Sequence, residues 1–78
     1  MNKEVYDLAH KLVDEWCYKN QLSMIGAKKI ENYIYVRGYD GGFPHAAATA
    51  KFDIDTGKFV EKWGFYGCPV TITEGIYE

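Results

Sequence analysis

Between Lys3 and Lys19 the apolar residues Val5, Leu8, Ala9, Leu12, Val13, Trp16 and Cys17 recur at steps of three and four. That spacing gathers them on one stripe of an α-helix, with Trp16 central on it. Asn2 is the expected N-cap, and Asn20 is expected to close the helix in the left-handed region. Glu4 and Asp7 near the start and Lys19 at the end suit the helix macrodipole. A helix this short is marginal alone, so its stripe needs a surface to dock on.

After Asn20 the period changes from helical to two. The pattern predicts strands at about 22–27, 32–39, 45–53 and 58–66, followed by a tail over 67–78. In the second strand Ile34 and Val36 alternate with Tyr33, Tyr35, Arg37 and Tyr39, so the two sets lie on opposite faces. The glycines and proline of the stretch Gly38-Tyr39-Asp40-Gly41-Gly42-Phe43-Pro44 interrupt the ladder. In the third strand Ala46, Ala48, Ala50 and Phe52 share a face, small enough for the helix to come close. Asp55-Thr56-Gly57 makes a tight turn. Phe59, Trp63 and Phe65 are expected on one face of the fourth strand. In the tail, Val70 to Thr73 reads as a short edge strand or an ordered arm. The connections are too short for parallel crossovers, so antiparallel neighbours are expected. The fold class is α+β: a single N-terminal helix packed on one face of a four-stranded antiparallel sheet.

The run Phe52-Asp53-Ile54-Asp55-Thr56-Gly57-Lys58-Phe59 resembles the closing hairpin of PepSY-type domains, and the order of helix then meander is similar to cystatin-like folds. The resemblance covers eight of the 78 residues. It implies a binding or inhibitory module rather than an enzyme, and it assigns no functional residues.

With 47% hydrophobic and 17% aromatic residues, the chain can build a core and has aromatic side chains to spare. The formal net charge of −2, with both signs interspersed, carries no general attraction to nucleic acid or anionic membrane. The first residues read as a charged helix rather than a signal peptide, so a cytoplasmic location in a host cell is expected, with Cys17 and Cys68 reduced. No apolar run approaches the roughly 20 residues that span a bilayer.

The candidate chemistry is sparse. His10, Cys17, His45 and Cys68 are scattered singly, without the spacing of a metal site, so no metal or other cofactor is implied. Cys17 sits near a helix C-terminus, where the dipole opposes a thiolate, and Cys68 has no identifiable base beside it. Asp53 and Asp55 are simplest as turn formers, and no catalytic residues are assigned. The most informative feature is the sheet face opposite the helix, where Tyr33, Tyr35, Arg37 and Tyr39 stand with Phe43 and His45 in the adjoining loop. Tyrosine and arginine are enriched at interaction hot spots, although tyrosine also has high strand propensity. The residues therefore point to a non-enzymatic protein-binding module, an inhibitor or adaptor of a larger partner of the kind small phage and mobile-element chains supply. A homodimer through the uncovered sheet face is the other protein partner considered. A small-ligand or single-stranded nucleic-acid binder using the same tyrosines is the alternative. Five acids against six bases across the sheet region leave +1, too little for an electrostatic footprint on nucleic acid.

Overall fold

The computed structural model describes residues 2–39, 47–64 and 67–78. The helix α1 runs Lys3–Lys19, and the strands follow as β1 (Ser23–Ile30), β2 (Tyr33–Tyr39), β3 (Ala47–Asp53) and β4 (Phe59–Trp63). They form one antiparallel sheet in the order β1-β2-β3-β4, with α1 lying over β1 and β2. This is the expected α+β arrangement.

The Asn2 side chain caps the helix by accepting from the Glu4 and Val5 amides. The C-terminus differs from expectation by one residue. Asn20 stays at φ −97° and spends its side chain on the Trp16 carbonyl, while Gln21 takes the left-handed conformation at φ 58°. Gln21 N–H donates to the Tyr18 carbonyl and Leu22 N–H to that of Cys17, the paired bonds of a Schellman motif.

The helix stripe is also centred differently. Val5, Ala9, Val13 and Cys17, each four residues after the last, are the buried positions. Leu8, Leu12 and Trp16 flank them and are only half-buried. Side chains four apart drift slowly around the helix, so a row of small residues lets α1 settle directly onto Ala27, Ile34, Val36 and Ala50. Trp16 is thereby pushed to the margin, toward β3 and β4.

β1 extends past the expected end at Ala27 to Ile30 and turns into β2 through Glu31 and Asn32. Glu31, at φ 55°, supplies the positive φ that a two-residue hairpin requires at its first position. The hairpin between β3 and β4 closes on Asp53, whose carboxylate accepts from the Asp55 and Thr56 amides, with Gly57 at φ 70°. A register shift follows: Phe52 pairs with Phe59 but Lys51 with Glu61, leaving Val60 as an extra residue. The bulge reverses the alternation, so Phe59 lies on the helix side and Trp63 on the far side, not together as alternation alone predicts. Phe65 falls outside the described residues, as do His45 and Ala46 at the expected start of the third strand.

The tail returns from the β4 side of the sheet to the free edge of β1. Gly75 N–H donates to Ile25, Ala27 N–H to Ile76 and Glu78 N–H to Ala27, making a parallel bridge between Ala27 and Tyr77. The four strands pair antiparallel as expected, and this bridge, formed by the tail outside them, is the one parallel contact among the described residues. Ile72 is buried, and a Cβ on Gly26 would lie 2.7 Å from the Thr73 carbonyl oxygen and 3.0 Å from Ile72 Cγ2. Since Gly26 pairs with Arg37, the segment around Ile72 lies across the face opposite the helix. The Val70–Thr73 stretch is thus an arm, and the strand-like contact comes later, at Tyr77.

Burial raises the Cys17 thiol above its ordinary range, helped by the Asp14 carboxylate. It raises the Tyr77 phenol likewise, with smaller contributions from Tyr6 and Cys17. In the unfolded chain both groups ionise at their usual pH, so unfolding releases protons that the folded chain retains. Stability is therefore expected to fall as pH rises beyond the ordinary thiol pKa of about 8.5. Urea midpoints at neutral and alkaline pH check this, and Cys17→Val should flatten the first part of the decline.

Candidate functional site

Two surfaces compete for a functional role. The first is the face carrying Tyr33, Tyr35, Arg37 and Tyr39. β2 brings the four side chains to one side of the sheet, with Tyr33, Arg37 and Tyr39 half-buried. Tyr35 is not partly exposed as expected: it retains 8% of its surface and stacks on Trp63, with ring centroids 6.1 Å apart. The Lys51 ammonium sits 4.0 Å from the centre of the Tyr33 ring and 5.6 Å from that of Tyr35. Thr49, between Arg37 and Trp63 in register, is buried, and Ile72 lies over the Gly26 end. The tail, whose path the strand pattern could not give, covers the Gly26 end of this face, while Trp63 and Lys51 cover Tyr35. The Tyr33 and Tyr35 rings each face a neighbouring ring or ammonium, so they are engaged within the chain. Phe43 and His45 lie outside the described residues.

The second surface is on the helix side. Because α1 covers β1 and β2, the β3–β4 half has only the flank of the helix above it. There Trp16 stacks on Phe59 (centroids 6.3 Å apart, planes 18° apart), and Phe52 meets both rings edge-on at 5.8 Å. Leu12, Glu15, Trp16, Lys19, Phe52, Gly57 and Phe59 line a groove of about 250 Å³. Phe59 remains 48% exposed and Val60 46%. Both belong to β4, and among the described residues no strand lies beyond it. Sequence reasoning placed Phe59 on a face of the fourth strand but named neither residue as part of a binding site. The pairing that sets Phe59 opposite Phe52 on the helix side, and the sideways placement of Trp16, both depend on tertiary packing.

A wider hollow of about 400 Å³ opens between the helix start and the tail, lined by Asn2, Glu4, Val5, Leu8, Lys29 and Glu78. Its walls offer Lys29 flanked by two carboxylates and no convergent set of polar groups. His10 pairs with Asp14 at 2.8 Å on the exposed side of α1 and packs against Tyr6. Cys17 is buried with a raised pKa, the reverse of what a nucleophile needs. Among the described residues there is no group of three metal-ligating side chains, and no helix is long and apolar enough to cross a membrane.

No family model, curated protein or solved structure matches the chain.

Proposed function

We propose that the chain is a non-enzymatic protein-binding module, an inhibitor or adaptor that docks on a larger partner through the Trp16–Phe59 groove and the adjoining edge of β4. The observation that carries this reading is Phe59, a large aromatic half exposed on an edge strand and stacked on a second aromatic. Exposed aromatic area beside unpaired backbone is costly to leave in water and unsafe to leave unguarded, and both features are resolved when a partner covers them. The face of Tyr33, Tyr35, Arg37 and Tyr39 supports docking less well, because Tyr35 and Thr49 are spent on packing.

Phe59→Ser is expected to melt close to wild type, since the side chain is half solvated already. It should nevertheless abolish retention of the host protein that the tagged wild-type chain holds. Tyr18→Ser is the control, because Tyr18 is 85% exposed and lies outside the groove. If both variants retain the same protein as wild type, the groove is not the docking site.

A further inference from the structure

We infer that the partner segment met at this edge is extended and acidic: a strand carrying an apolar side chain flanked by carboxylates, added to the sheet beside β4. This rests on the docking reading above and narrows it to a class of ligand. Three features of the edge converge on it.

The first is the backbone. Residues 59–62 of β4 are exposed, and among the described residues nothing pairs with their outer side, so the backbone groups of a strand interrupted by the Val60 bulge are available to a ligand. An extended segment satisfies such a row, as in other cases of strand addition. The second is the groove, whose volume and aromatic walls suit one large apolar side chain from the added strand. The third is charge. Lys58 and Lys62 stand on either side of Phe59 and Val60, and neither side chain is in an ion pair among the described residues. By contrast Lys19, at the groove's helical wall, is already bound to Glu15 at 3.0 Å. A chain with a net charge of −2 thus presents two uncommitted lysines and the single carboxylate of Glu61 along β4, the one edge open among the described residues.

A second copy is the competing occupant. Two β4 strands paired about a two-fold axis must match a residue with its own symmetry mate at the centre. Centring on Glu61 opposes two glutamates and centring on Lys62 opposes two lysines, and like charges directly across a ladder destabilise it. Centring on Phe59 carries no such penalty, so the oligomeric state is part of the test.

The test titrates the intact protein with a short fluorescent peptide in which glutamates flank a phenylalanine within a valine-rich stretch. Its lysine counterpart and a copy N-methylated on the amides of one strand edge are run beside it. The acidic peptide should bind at least about tenfold more tightly than the lysine one, and the advantage should shrink with salt. Lys58→Glu/Lys62→Glu, with an unchanged melting curve, should reverse the preference, and N-methylation on the pairing edge should abolish binding. Equal binding of both peptides, still lost in Phe59→Ser, overturns the acidic class while the docking site stands. Failure of every peptide, with a host protein still retained through Phe59, overturns the extended segment. A dimer in sedimentation that Phe59→Ser dissolves overturns the inference in favour of self-association, and retention indifferent to Phe59 removes the docking reading itself.

Discussion

Tyr77→Ala is expected to cost about 3–5 kcal/mol, the range for truncating a buried large aromatic. For a domain of 78 residues that is most of the total stability. Tyr77 is buried with its ring edge-on to Tyr6 at 4.8 Å, and its backbone pins the tail to two places at once. The Tyr77 carbonyl accepts from the Asn2 amide at 2.9 Å, while the residues on either side of it bond to Ala27. Removing the ring therefore frees an edge as well as opening a cavity. The urea midpoint should drop, and the Ala27 and Glu78 amides should exchange far faster than those of the β2–β3 ladder. Tyr77→Phe is the control. The hydroxyl's bond to the Met24 carbonyl is long, at 3.5 Å, so losing it should cost under about 1 kcal/mol. If Tyr77→Ala unfolds at the wild-type midpoint, the tail does not hold the edge.

The second large effect separates packing from recognition. Tyr35→Ala is also expected to lose about 3–5 kcal/mol, because this ring is buried against Trp63 rather than presented to a partner. The near-ultraviolet dichroism of Trp63 should change with it. A stable Tyr35→Ala variant that lost partner binding would restore the tyrosine face as the site and displace the groove.

The helix, the β2 and β3 alternation and the Asp53–Gly57 turn were legible because each is set by local spacing. Ile34 and Val36 face α1 as their period predicts, and the Asp53 carboxylate does what a turn aspartate usually does. What escaped was decided at longer range. Whether Trp16 or Val13 is central depends on how closely α1 can approach the sheet, which Ala9, Ala27 and Ala50 determine together. One extra residue at Val60 inverts the side of Trp63, and no pattern within β4 marks it. The burial of Tyr35 comes with Trp63 on the far face, and the same inverted register brings the two rings together. The candidate groove exists because the helix sits to one side and because Phe59 pairs with Phe52 on the helix side.

The tail contact at β1 also sets a valence. Its bonds to Ile25, Ala27 and Lys29 occupy the outer groups of that strand, and a single bridge at Tyr77 is too short to template another. Among the described residues the sheet can then grow only beyond β4. A body with one such growing side accepts one added strand and stops, so complexes of one-to-one stoichiometry follow and stacking into fibres is blocked. Releasing the tail would raise that number to two, and with it the means of linking molecules end to end. On this view Tyr77 guards solubility as much as stability, and light scattering from aged Tyr77→Ala solutions should rise where Tyr77→Phe solutions stay clear.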